Sequence, residues 1–286
     1  MKFTKLQGTG NDFILVETSD EQCDWSKMAL AMCERHFGIG SDGLLLLLPS
    51  RKANFRMRMF DPDGSEAEAC GNGIRCLARY VYDNGMIKAG ADRISVETIV
   101  GVRHLKLNKE NDRLVSIQAG MGKPVFQEKE IPVSIEEGRE RIVYINSMLS
   151  YPVNVNGIDL NLNLVSMGNP HAVYFQDKPV ADFPLLTIGP KVERLDIFPR
   201  RTNFEVARVI NRKEVEVRTW ERGVGETLAC GSGACAVAVA AQLRDYVDNN
   251  IKIKLLGGTL QLEWDGAGEV LMTGPAETVF CGEWPD

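Results

Sequence analysis

The chain has 286 residues, 44% of them hydrophobic and 25% charged, an ordinary globular balance with enough apolar side chains for a sizeable core. Its length favours two domains over one. A net charge of −6 with no basic stripe and no Lys/Arg cluster argues against a nucleic-acid partner and against a lipid surface.

The opening MKFTKLQGTGNDFILVET lacks a long apolar region and a small-residue cleavage site, so no secretion signal is expected. DWSKMALAMCERHFG has an acidic start and helical periodicity, and Gly38 suits a C-cap, so a helix is expected over 24–38. The longest pure apolar run, Leu44 to Leu48, is too short to span a membrane. In NFRMRMF the residues Phe55, Met57 and Met59 alternate with Arg56 and Arg58, the period of a half-buried strand. GIRCLARYVYDNG puts Ile74, Leu77, Ala78 and Val81 on one helical face and stops at Gly85. ISVETIVGVRHLKL, RLVSIQAGM and EVEVRTW read as further strands. ACAVAVAAQLRDYV is apolar almost all round, which implies a helix enclosed by other elements. IKIKLL and TLQLEW, separated by Gly257-Gly258, read as a hairpin. The sum is a strand-rich α+β chain of two similar domains with one buried helix each. The Gly, Pro and charge cluster GMGKPVFQEKEIPVS (residues 120–134) marks the crossover, giving domains 1–121 and 122–274 with a tail, 275–286, that returns to the first.

One motif occurs twice. Cys70-Gly71-Asn72-Gly73 matches Cys230-Gly231-Ser232-Gly233, with Glu66 and Glu226 each four residues upstream. Each copy enters a helix holding a second cysteine, Cys76 or Cys235, at spacings that differ by one residue. A cysteine just before a helix sits at the positive end of the macrodipole, which favours a thiolate. The small residues after it leave backbone N–H groups bare as a seat for a carboxylate or phosphate. Two such sites on opposite sides of one anionic substrate suit inversion of a stereocentre beside a carboxylate: one thiolate removes the α-proton and the opposite thiol protonates the other face. Reacting atoms about 3–3.5 Å apart put the sulfurs about 7 Å from each other, beyond disulfide reach.

The plainer reading of each motif is a glycine turn for tight helix packing. Cys76 and Cys235 read as buried small hydrophobes, and Cys23, Cys33 and Cys281 as structural. Seven cysteines, an odd number, in a chain too large to need disulfide staples fit a reduced, cytoplasmic protein. With no C-x-x-C pair and only His36, His104 and His171, no metal site is expected. No Walker lysine follows either glycine run, and GTGNDF and GIGSDG could be plain connectors.

KLQGTGNDF, FGIGSDGLLL, DGSEAEACGNGIRC, MGNPHAV, RTNFEVARV and TWERGVGETLACGSGACA occur in an order that resembles the diaminopimelate epimerases nearly end to end. The resemblance implies two α/β domains, each a sheet curled around a central helix, with the site in the cleft between them. It implies interconversion of LL- and meso-2,6-diaminopimelate for lysine and cell-wall synthesis, without a cofactor, by a homodimer. It assigns Cys70 and Cys230 the acid–base roles and gives Gly71, Asn72, Gly231 and Ser232 the reacting carboxylate. Asn11, Asn169, Asn203, Glu221 and Arg222 match substrate-binding positions, and His171 and Glu221 match residues that tune the cysteines. Two positions depart from the pattern. Asp61 stands where many relatives carry Asn; against the substrate it would favour an ammonium and repel a carboxylate. Gly43 occupies a loop position where some members use Gln. An epimerase of another amino acid and a non-catalytic thiol protein, redox or metal-binding, are the competing readings.

Overall fold

The computed structural model describes residues 1–67, 70–134 and 142–285. Glu68 and Ala69 of the first cysteine motif, and Asp286 of the tail, lie outside the described residues. The chain divides into two compact units, Met1–Gly120 with Thr273–Asp286 and Met121–Met272.

In the first unit the order is β1 (Lys2–Gly8), β2 (Asn11–Glu17), α1 (Trp25–Cys33), β3 (Gly43–Leu48), β4 (Phe55–Phe60), α2 (Gly71–Asp83), β5 (Arg93–Thr98), β6 (Gly101–Glu110) and β7 (Arg113–Gly120). The pairing from β1 to β7 is antiparallel, parallel, antiparallel, parallel, antiparallel, antiparallel. α2 lies against one face of this sheet, packing Ile74, Cys76, Leu77, Ala78 and Val81 on Leu6, Phe13, Leu45 and Val96. α1 covers the other face, with Trp25, Ala29 and Met32 among Ile14, Leu44 and Leu46. Covered on both faces, β3 is buried at every residue, which explains its unbroken leucine run. The same cover removes the alternation that would have marked β1 to β3 as strands in the sequence.

The second unit runs β8 (Val143–Ile145), β9 (Met148–Val155), β10 (Ile158–Ser166), β11 (Pro170–Phe175), α3 (Leu185–Glu193), β12 (Asn203–Asn211), β13 (Glu214–Glu221), β14 (Gly225–Thr227), α4 (Gly231–Leu243), β15 (Asn250–Leu255) and β16 (Gly258–Glu263), and β17 (Leu271–Gly274) begins in it and ends in the first. From β10 through β11, β12, β13 and β15 to β16 the pairing is again antiparallel, parallel, antiparallel, parallel, antiparallel. The units are therefore topological repeats, β1 to β6 corresponding to β10–β13, β15 and β16. α4 is buried from Gly233 to Ala241 and packs its alanines and valines on Val165, Val173, Val217 and Ile253. α3 covers the other face with Leu185, Ile188 and Val192. The chain then returns to the first unit as β18 (Glu277–Glu283), antiparallel to β1.

Two details differ from the sequence reading. α1 ends at Cys33 with Glu34 as C-cap, five residues before Gly38. The chain folds back instead, Ile39 and Gly40 donating their N–H groups to the Met32 carbonyl. A Cβ on Gly38 would collide with the Ala31 carbonyl, so glycine there answers a close backbone approach. Gly43 is the first residue of β3 rather than part of a loop, and a Cβ on it would already lie 3.1 Å from the Met59 Cε and from the Phe60 carbonyl.

Because α4 meets its surroundings through alanine, it has no slack. Ala240→Leu is expected to lower stability by about 1–3 kcal/mol through overpacking, whereas Arg113→Ala, at an exposed strand end, should change it by less than about 0.5 kcal/mol. Urea unfolding of the two variants measures both.

Candidate active site

Each cysteine motif is held by the same device. Arg58 on β4 grips Glu66 through two hydrogen bonds of 2.7 and 3.0 Å, and Arg218 on β13 grips Glu226 through two of 2.7 and 3.1 Å. Fork-to-carboxylate pairing fixes orientation as well as distance. Glu66 and Glu226 are thereby anchored to the preceding strands, each four residues before its cysteine. Cys70 is the N-cap of α2 and Cys230 the N-cap of α4.

In the first unit the Gly73 N–H donates to the Cys70 Sγ at 3.4 Å, and that sulfur faces the Asn11 Oδ1 at 3.8 Å. Asn72 donates to the same Oδ1 at 3.2 Å. The Asn11 amide is oriented by Asp42, whose carboxylate accepts from its Nδ2 at 2.6 Å; a carboxylate only accepts, so Asn11 must turn its oxygen toward the cysteine. Asp42 is braced by Arg35, which also bonds Asp12. Burial raises the Asp12 carboxyl, but Arg35 and Lys5 together hold it below the usual range. The GTGNDF and GIGSDG loops are thus one charged frame behind Asn11. From the other side Arg75, wholly buried, donates to the Gly71 carbonyl, the Thr9 hydroxyl and the Asn72 Oδ1.

In the second unit a chain of contacts reaches Cys230. His171 Nδ1 lies 2.7 Å from Glu205 Oε1, and its Nε2 lies 3.0 Å from Asn169 Oδ1. Asn169 Nδ2 donates to the Ser232 Oγ at 3.3 Å, and that oxygen is 3.5 Å from the Cys230 Sγ. Glu221, the last residue of β13, accepts from the Thr227 hydroxyl at 2.6 Å. Asn203 binds backbone on both sides, donating to the Pro170 carbonyl and accepting from the Arg222 N–H, each at 2.9 Å. It thereby fixes the Glu221-Arg222 corner, while the Arg222 guanidinium is exposed and meets the Arg200 carbonyl at 3.3 Å.

The electrostatics of Cys230 run against the helix-terminus expectation. Burial pushes its thiol well above the usual value, and the Glu221 and Glu205 charges push the same way; the contacts with Ser232 and the Gly233 N–H only oppose. Desolvation outweighs the macrodipole here. Burial likewise raises the Glu221 carboxyl, against hydrogen bonds from Thr227 and Cys230. Asp61 stands three residues after Arg58, as Glu221 stands three after Arg218. Its carboxyl too is raised, by burial and then by Asp63.

The sequence reading missed Glu205, Asp42 and Arg75. The first had a signal: in NFEVARV a glutamate stands among Phe204, Val206 and Ala207, where an apolar run would otherwise mark a strand buried on both faces. His171, which a sequence leaves free to lie at the surface, is wholly buried.

The sequence matches the family model described as diaminopimelate epimerase over residues 3–127 and 163–279. It is 47% identical over 289 residues to the diaminopimelate epimerase of Pelotomaculum thermopropionicum, covering 100% of this chain and 99% of that one. It is 45% identical over 285 residues to that of Methanococcus maripaludis, with 99% of each chain covered. Among solved structures it resembles a probable proline racemase from Agrobacterium radiobacter with a TM-score of 0.71 at 12% identity, over 99% of this chain and 92% of that one. A hydroxyproline epimerase from Agrobacterium vitis gives a TM-score of 0.70 at 14% identity, over 99% and 91%. At such identities the likeness is one of fold.

Buried thiols make stability fall with alkaline pH. Burial raises Cys76 as well as Cys230, the Arg75 charge opposing only in part at Cys76. In the unfolded chain these thiols ionise near pH 8.5 while in the folded chain they stay protonated, so their contribution is complete below that pH and is lost above it. Unfolding free energy should drop by roughly 1.4 kcal/mol per pH unit for each such thiol above about pH 8.5. Urea titrations at pH 8 and 9.5 measure the slope, and Cys76→Ala should flatten it.

Proposed function

Since this chain belongs to the diaminopimelate epimerase family of isomerases, we propose that it inverts one α-carbon of 2,6-diaminopimelate, interconverting the LL and meso forms, with Cys70 and Cys230 as the two acid–base groups. The observation that carries the reading is the matched pair of cysteine N-caps, each on a buried helix and each with an asparagine from the corresponding strand region beside its helix mouth.

In one direction the Cys70 sulfur, as thiolate, takes the α-proton and becomes a thiol. Cys230, a thiol at rest because of its burial, gives its proton to the opposite face and becomes the thiolate. The C–H bond broken and the C–H bond formed balance, and the reverse reaction exchanges the roles. Negative charge that grows on the substrate carboxylate in the carbanion-like transition state is met by the bare N–H groups of Gly71-Asn72 and Gly231-Ser232 at the two helix mouths. Asn11 and Asn169 orient the first turns, Glu221, Arg222 and Asp61 serve the substrate's ionic ends, and Asn203 supports the substrate from behind by fixing the Glu221-Arg222 corner. His171 and Glu221 tune the second cysteine. The same reading takes the working enzyme to be a cytoplasmic homodimer, needing no pyridoxal phosphate, in lysine and peptidoglycan precursor synthesis.

In D2O the purified protein should place deuterium on the α-carbon of LL-diaminopimelate with no added cofactor and leave simple monoamino acids unlabelled. Exchange on monoamino acids at a comparable rate would favour an epimerase of different substrate, and no exchange at all would leave a thiol protein without this activity. Cys70→Ser and Cys230→Ser should each lower epimerisation by about 10²–10⁴-fold, the usual contribution of a positioned acid–base group. Normal turnover in both would end the two-thiol mechanism.

A further inference from the structure

The two units are built on one topology, so a position that differs between them in chemical kind carries information. In the first unit β2 pairs with β3 so that Phe13 faces Gly43 and Leu15 faces Leu45. In the second β11 pairs with β12 so that His171 faces Asn203 and Val173 faces Glu205. His171 therefore occupies the place of Phe13, and Glu205 the place of Leu45. The helices agree with this correspondence. A Cβ built on Gly73 would lie 3.1 Å from the Leu45 Cδ2 and 3.5 Å from the Cys70 Cβ. On Gly233 it would lie 2.6 Å from the Glu205 Oε1 and 3.3 Å from the Cys230 Cβ.

All four side chains are buried to within 0% exposure. An apolar pair fills this layer in one unit, so packing alone does not call for a histidine and a carboxylate in the other. Burying an ionisable pair is costly even when the two bond each other, and the Glu205 Oε2 has no hydrogen-bond partner among the described residues. A position that gives up apolar packing and leaves a buried oxygen unsatisfied has a use other than stability.

Resting on the epimerase reading above, we infer that Glu205 is a positioning residue of the reaction: its carboxylate keeps a hydrogen on His171 Nδ1 and so orients the ring, which fixes Asn169 and Ser232 against the Cys230 thiol. A carboxylate only accepts, so the ring nitrogen facing it must carry a hydrogen. The Asn169 Oδ1 facing Nε2 accepts as well, since the Nδ2 of that amide is given to Ser232, so Nε2 also carries a hydrogen and the ring is held in one orientation between two acceptors. Asn169 in turn holds the Ser232 hydroxyl beside the sulfur. Glu205 itself is out of reach of any substrate.

Glu205→Gln keeps the shape and removes the constraint, because an amide donates as well as accepts. The wild-type ring is expected to give the 15N pattern of an imidazole protonated at both nitrogens, and Glu205→Gln that of a neutral ring bare at Nδ1. His36 and His104, the other two histidines and both exposed, are removed from the spectrum by His36→Gln and His104→Gln. Turnover of diaminopimelate in Glu205→Gln should fall about 10–100-fold, the range for loss of a residue that orients another, with KM within about threefold. A wild-type ring bare at Nδ1 overturns the inference even if the variant does not fold. So does a folded Glu205→Gln that turns over within twofold of wild type. Absence of exchange in the wild type would instead remove the epimerase reading, while the ring spectra would still judge what Glu205 does to His171.

Discussion

A thiol at the mouth of a buried helix stands under two opposed influences, and the balance between them organises this molecule. The bare N–H groups of the first turn favour a thiolate, and loss of water favours a thiol. At Cys230 water loss wins, with Glu221 and Glu205 adding to it. The helix mouth therefore stores a proton there instead of exposing a base. In the proposed reaction that is the state required of the group that protonates the substrate. A charged substrate carboxylate seated on the same N–H groups then finds them uncommitted to a sulfur anion.

Keeping the sulfur at the helix mouth demands small neighbours and a rigid approach. Gly233 has no room for a Cβ beside Glu205, and Gly73 has little beside Leu45. The two arginine–glutamate forks tie the approaching chain to strands β4 and β13 at the same distance before each cysteine. Both forks are largely shielded, with arginine exposures of 21% and 14%, so solvent screens them less than a surface pair. Burial at Glu66 is outweighed by the Arg58 fork, which keeps that carboxyl below its usual range and available as an acceptor. The repeated glutamates, visible beforehand only as a shared acidic position, are the anchors of the repeat.

The sequence displayed those parts of the fold whose environment is one-sided. β4 alternates because one face meets α2 and the other carries the Arg58 fork, and α2 has an apolar stripe because its other side carries Arg75, which is buried against polar partners, and the partly exposed Arg79. α4 was legible for the opposite reason, since a helix apolar all round must be enclosed. β1, β2 and β3 were illegible as strands because both faces are covered and no period survives. At the site, the cysteines and glycines were legible because their chemistry is local. The partners of Asn11 and His171 were not, because Asp42 lies 31 residues from the first and Glu205 lies 34 from the second. Only strand pairing brings such residues together, and pairing register leaves no local trace.

Duplication of one topology gives two like sites, but inversion of a stereocentre needs two like groups in unlike states. If both thiols rested as thiolates, no proton would be available for the second face; if both rested protonated, no base would start the reaction. The proposed reaction therefore asks the two sites to differ, and what lies behind each sulfur does differ. Behind Cys70 stand Asn11 and the apolar pair Phe13 and Leu45, with the charges of Asp42, Arg35 and Asp12 one layer further out. Behind Cys230 stand His171, Glu205 and Glu221, two carboxylates close enough to disfavour a sulfur anion. The difference sits in side chains of the second unit's strands while the backbone repeat is preserved.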